Sequence, residues 1–119
     1  MIQSILATPL KVVKHTSHDE QARVNEVMTH VLPVSQRRLG LLNDQAVVTD
    51  LQRYDLEKIA VPTLIIGVRD CLYGTFGPAR YTADHIPGAR FIGYETGGHL
   101  WLGHHREVTT AIADFLRER

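Results

Sequence analysis

The stretch Val61-Pro-Thr-Leu-Ile-Ile-Gly-Val-Arg-Asp70 is the strongest indication of the fold of this chain. It is a short apolar run, rich in β-branched residues, that ends in an acid, and it predicts a buried strand leading into Gly67. A helix is predicted over Pro78–Ile86, and a second strand over Arg90–Tyr94. Two strands separated by a helix imply a parallel pair, which normally carries a layer on each face.

The last helix, His104–Arg119, is predicted to supply one of those layers. Its apolar residues recur at helical spacing and form a single stripe, with charged residues on the remaining face. The stripe contains Val108, Ala111, Ile112, Phe115 and Leu116. Residues 59–119 are therefore predicted to form a β-α-β-α unit within an α/β fold.

Residues 1–58 are predicted to be wholly helical. Thr8-Pro9 starts a helix that runs to His15, because proline is tolerated in the first turn. Ser17-His-Asp-Glu20 matches a capping box and begins a helix that Pro33 ends. A short helix after Ser35 is predicted to be interrupted at Gly40 and broken at Asn43-Asp44, before a further helical stretch towards Tyr54.

Composition excludes several classes of protein. The chain has 119 residues, of which 44% are hydrophobic, so it is long enough to bury a core. Lys plus Arg equals Asp plus Glu at 13 each, which argues against a nucleic-acid partner. The apolar runs are too short to span a bilayer and the first residues lack the charged start of a signal peptide, so the predicted location is cytoplasmic. The single cysteine, Cys71, fits a reducing compartment.

A second segment, Thr96-Gly-Gly-His99-Leu-Trp-Leu-Gly103-His104, carries a candidate catalytic base. Its glycines allow the loop to present His99 at the end of the second strand, where open α/β sheets gather ligands. A histidine base in a serine hydrolase is oriented by a buried carboxylate, and Asp70 is the candidate for that role. No Ser or Cys of the chain lies in a G-x-S-x-G turn, so the nucleophile of such a triad is missing from it.

Residues 55–119 resemble the C-terminal part of α/β-hydrolase-fold enzymes. The resemblance lies in Leu56–Ile59 before the first strand, the acid loop, the Ile86-Pro-Gly-Ala-Arg turn, the glycine-flanked His99 and the closing helix. It implies that residues 1–58 are the helical cap-like segment inserted in many of these enzymes. It also implies hydrolysis of a small ester or related acyl substrate, with His99 as the catalytic histidine and no cofactor.

The resemblance leaves the position of the acid open. Counting from Gly67 selects Asp70, whereas aligning from Val61-Pro62 puts the family's usual acid at Cys71. Cys71 itself could be a nucleophile paired with His99, but burial as a small apolar residue is the favoured interpretation.

The aromatic residues and the remaining histidines are weaker candidates for a functional site. The aromatic side chains of Tyr73, Phe76 and Trp101 could form the wall of an acyl pocket, and packing between loops explains them equally well. The histidines do not have the ligand spacing of a metal motif, so no metal is predicted.

The predicted partners are a small acyl substrate and either the missing N-terminal hydrolase part or a second copy of the chain, with no nucleic acid and no membrane. The alternative function is a non-catalytic module that associates through an exposed sheet edge.

Overall fold

The computed structural model of the protein describes residues 2–118, with no description of the side chains of Ile2 and Arg37. The N-terminal half contains four helices, which are α1 (Ile2–Leu6), α2 (Leu10–His15), α3 (His18–Val31) and α4 (Arg38–Thr49). Short 3-10 turns lie at Val34–Arg37 and Leu56–Lys58. The C-terminal half contains β1 (Leu64–Val68), α5 (Phe76–His85), β2 (Arg90–Tyr94) and α6 (His105–Arg117). The chain is therefore helix-rich, with a small parallel sheet.

The two strands form a parallel pair, and Leu64 lies opposite Arg90 and Val68 opposite Tyr94. No third strand joins them within residues 2–118. Pairing begins where the Arg90 N–H donates to the Thr63 carbonyl (2.9 Å), just after Pro62, which has no N–H to donate. The α/β class predicted from the sequence is confirmed at this coarse level.

A helix lies on each face of the sheet. On one face, Val108 of α6 packs with Val68 and Tyr94 in a buried cluster. On the other face lies α5, whose Phe76 reaches Gly67 and Gly93. The two glycines leave room for Phe76 and Phe91, whose rings meet edge to face at 5.6 Å. The predicted layering on both faces is therefore present.

A second buried cluster joins the N-terminal helices to the C-terminal half. It contains Leu6 at the end of α1, Val24 and Met28 on α3, and Leu102 in the loop after β2. Arg23 adds a polar link, because its guanidinium donates to the Leu100 carbonyl at 2.7 Å. These contacts place α1 and α3 against the loop that carries His99.

The predictions for the N-terminal half are confirmed for the helices after Pro9 and Ser17 and are wrong for the segment after Ser35. α2 and α3 form as predicted, and the Ser17 side chain accepts a hydrogen bond from the Glu20 N–H at the start of α3. The interruption at Gly40 and the break at Asn43-Asp44 are wrong, because α4 runs through both. A single glycine costs a helix only about 1 kcal/mol, which does not suffice to end it.

Helix ends also differ from the predictions. Residues 51–55 are not helical, so the prediction that residues 1–58 are wholly helical is wrong there. α5 begins two residues before Pro78, which therefore lies in the first turn, where proline is tolerated. α6 begins at His105 rather than His104, and the predicted end at Arg119 lies outside the described residues.

None of the helices within residues 2–118 has the length and apolar character needed to cross a membrane.

Candidate functional site

The loops that follow β1 and β2 meet at one edge of the sheet, because the carboxyl ends of parallel strands point the same way. The Arg69 N–H donates to the Tyr94 carbonyl at 2.8 Å and joins the two loops at their base. Further out, Asp70 and Cys71 of the first loop contact Gly98 and His99 of the second. The residues singled out from the sequence are therefore neighbours.

The loop that carries His99 has a backbone that depends on glycine. Gly97 has φ +132° and Gly98 has φ +63°, which are conformations that other residues rarely adopt. A Cβ atom on Gly98 would lie only 2.4 Å from Cγ2 of Thr8. The loop then makes a 3-10 turn over Gly98–Leu100, and this turn presents the exposed His99 side chain.

The buried segment Leu6–Pro9 supports both loops, and sequence reasoning missed it. The Ala7 carbonyl accepts from the Leu72 N–H at 2.9 Å, so the segment is tied to the first loop. Thr8 is fully buried against Gly98 of the second loop, and its hydroxyl donates to the Leu6 carbonyl at 2.8 Å. Thr8-Pro9 is also an ordinary helix start, so the local sequence carries no signal for this contact.

Asp70 contacts the backbone of the histidine loop. Its Oδ1 accepts from the Gly98 N–H at 2.7 Å. Its Oδ2 is buried and has no hydrogen-bond partner among the described residues. Asp70 therefore fixes the loop next to His99, and this contact does not involve the imidazole ring.

Cys71 is the residue that meets the imidazole. Its Sγ lies 3.4 Å from Nδ1 of His99, and its side chain is buried, with 5% of the residue exposed. On another side of His99, the Tyr73 ring makes an edge contact at 5.1 Å, and the Tyr73 hydroxyl donates to the Ile5 carbonyl at 2.7 Å. The ring of His99 is thus oriented by a thiol and an aromatic ring.

A cavity of about 270 Å³ lies beside this pair. It is lined by the end of β1 and by side chains or backbone of Cys71, Thr75, Gly98, His99 and Trp101. Its volume is just below the usual range of small-molecule pockets, so only a short ligand would fit it.

The three aromatic candidates for the pocket wall have different positions. Tyr73 contacts His99, and Trp101 lines the cavity and packs against the Val68 cluster. Phe76 lies on the α5 side of the sheet, against Phe91 and beneath the Arg69 guanidinium at 4.3 Å. Phe76 does not line the cavity, and its contacts are those of a packing residue.

His104 and His15 have local partners, whereas the buried Nδ1 of His105 has no hydrogen-bond partner among the described residues. The His104 ring stacks on Tyr94 at 4.1 Å, and its Nδ1 lies 3.6 Å from a carboxylate oxygen of Glu107. Burial raises the pKa of the Tyr94 hydroxyl, and the charge of Glu107 adds to this effect. His15 is hydrogen-bonded through Nδ1 to the Lys11 carbonyl at 2.6 Å. Within residues 2–118, no group of three or more His, Cys, Asp or Glu side chains is arranged to hold a metal ion.

Comparison of the chain with protein-family models, curated proteins and solved structures finds no match.

Proposed function

We propose that this chain supplies the histidine of a hydrolytic site, as the C-terminal segment of an α/β-hydrolase acting on a small ester or related acyl substrate. The observation that carries the proposal is the position of His99. It is exposed on a glycine-dependent turn, at the carboxyl edge of a parallel strand pair and beside a small cavity. Open α/β sheets place their catalytic groups at this edge.

In this function, His99 is the general base. A serine hydroxyl supplied by another segment or a companion chain would give its proton to the imidazole as it attacks the ester carbonyl. The same histidine would then activate water to release the acyl group. Because Nδ1 of His99 faces Cys71, the nitrogen available to the incoming serine is Nε2.

Asp70 is a positioning residue in this function. Its carboxylate holds the Gly98 N–H and so fixes the turn that presents His99. Cys71 lies at the imidazole nitrogen that a triad carboxylate normally contacts. The contact of Cys71 with the imidazole supports the alignment that puts the family's acid position at residue 71, with Asp70 acting on the loop backbone.

A second candidate function is association through the sheet edge. It is favoured by the absence of a third strand beside β1 and β2 within residues 2–118. Unpaired strand edges present N–H and C=O groups that another strand can pair with. The missing hydrolase part and a second copy of the chain are the two partners that this edge would accept.

The test is an ester-hydrolysis assay on this chain fused to the G-x-S-x-G-bearing segment that the proposal requires. His99→Ala should lower kcat for a short-chain p-nitrophenyl ester by about a thousandfold, the scale of a lost general base. His85→Ala is the matched control, because His85 stacks on Tyr81 away from the site. Equal activity in the two variants would refute the role of His99 and leave association as the function.

A further inference from the structure

Cys71 and His99 bring a thiol and a base together without any group from outside this chain. Their Sγ and Nδ1 atoms lie 3.4 Å apart, within the range of a hydrogen bond to sulfur. Both residues line the same cavity of about 270 Å³. Cys71 is also the single cysteine of the chain, so any chemistry at a thiol is chemistry at this position.

The contact with His99 provides the Cys71 thiol with a base that can accept its proton. A thiol reacts as its thiolate, and an adjacent imidazole can take the proton and stabilise the anion as an ion pair. Cys71 is only 5% exposed, but it is one of the residues that line the cavity, together with Thr75, His99 and Trp101.

We propose that Cys71 is a nucleophilic thiol that accepts an acyl group from small activated esters, with His99 as its base. The proton moves from Sγ to Nδ1 of His99, and Sγ forms a bond to the ester carbonyl carbon. The bond from that carbon to the leaving oxygen breaks, and the leaving alkoxide takes the proton back from His99. The products are a thioester at Cys71 and a free alcohol.

The size of the cavity limits the acyl group. A space of about 270 Å³ accommodates an acetyl or similarly short chain with its leaving group. This activity does not depend on the proposed function, because both reacting groups belong to this chain.

The test uses the chain alone with p-nitrophenyl acetate. We expect one acetyl group per chain, located at Cys71 by mass spectrometry, with release of one equivalent of nitrophenol. The acylation rate in the folded chain should exceed that of the urea-unfolded chain on the order of a hundredfold, the scale of a positioned base. This comparison needs no variant, so it decides the proposal even where a variant fails to fold.

Three variants sharpen the result. His99→Gln should reduce acylation to the rate of the unfolded chain, Cys71→Ser should abolish the equivalent of released nitrophenol, and His85→Ala should leave the rate unchanged. The proposal is overturned if folded Cys71 reacts no faster than unfolded Cys71, or if His99→Gln reacts at the wild-type rate. Either result would leave the hydrolytic role of His99 with an external serine to be judged by its own assay.

Discussion

Gly98 shows how a single residue determines the position of His99. It combines a positive φ of +63° with an approach to Thr8 so close that a Cβ atom would overlap three atoms of the threonine side chain. Thr8 cannot move away easily, because it is fully buried. The position therefore demands glycine on two independent physical grounds.

Replacing Gly98 with alanine should lower the free energy of unfolding by about 3 kcal/mol or more, from left-handed backbone strain and overpacking against Thr8. Urea denaturation measures the loss. Gly40→Ala is the matched control, because Gly40 lies inside the exposed helix α4 with nothing within 4 Å of its Cβ position. That control should raise the stability by up to about 1 kcal/mol. Equal effects of the two substitutions would contradict the contact with Thr8.

Asp70 provides the second prediction for a single residue. Asp70→Ala leaves the Gly98 N–H without its acceptor and should lower the free energy of unfolding by about 1–3 kcal/mol. Asp70→Asn keeps an acceptor oxygen and should restore a large part of that loss. Denaturant titration of both variants distinguishes the outcomes, with Asp84→Ala as an exposed control. If Asp70→Ala unfolds like the wild type, the carboxylate does not hold the loop.

Among the elements, α3 carries the clearest local signal. Its N-cap is Ser17, whose hydroxyl accepts from the Glu20 N–H, and the carboxylate of Glu20 pairs with Arg23. The first hydrogen bond of the predicted capping box, from the Glu20 N–H to the Ser17 hydroxyl, is therefore present. The Glu20 carboxylate, which would accept from the Ser17 N–H in a complete box, pairs with Arg23 instead.

Ser17→Ala should lower stability by about 1 kcal/mol through loss of the cap. Thermal unfolding followed by circular dichroism at 222 nm measures the change. Ser35→Ala serves as the comparison, because the turn over Val34–Arg37 has no side-chain cap. A Ser17 variant as stable as the Ser35 variant would show that this cap contributes nothing.

Local sequence patterns predict the strands and helices better than they predict which side chains contact His99. The second strand has the bounds Arg90–Tyr94 predicted from the sequence, because the turn residues Pro87-Gly88 precede it and the glycines of the histidine loop follow it. The proximity of the acid loop and the histidine loop follows from parallel topology. Which side chain meets His99 does not follow, because Asp70 and Cys71 are consecutive and only tertiary packing decides which one faces the ring. The contact of Thr8 with Gly98 joins residues 90 positions apart and leaves no trace in local sequence.

At the scale of the whole molecule, a large apolar surface is exposed. No side chain of α4 is buried, and Leu39 is 82% exposed. Exposed apolar side chains also include Leu41, Leu42, Val47 and Val48 on the same helix. Together with the open sheet edges, this surface favours association with another chain.

The isolated chain should therefore self-associate at micromolar concentration. Replacing Leu39 with glutamate should reduce the association without changing the melting temperature by more than a degree or two, because the side chain supports no core contact. Sedimentation velocity measures the association. A monomer at all concentrations would contradict the prediction.

We propose that His99 belongs to a hydrolytic site whose nucleophile is not among these 119 residues. The most direct measurement is the DNA sequence immediately upstream of the Met1 codon, translated in all three frames. We expect this DNA to encode a G-x-S-x-G turn after a strand-like run, in frame or displaced by a frameshift. Upstream sequence that encodes no such turn would contradict the role of His99 in a serine-hydrolase site and favour a module that acts through association.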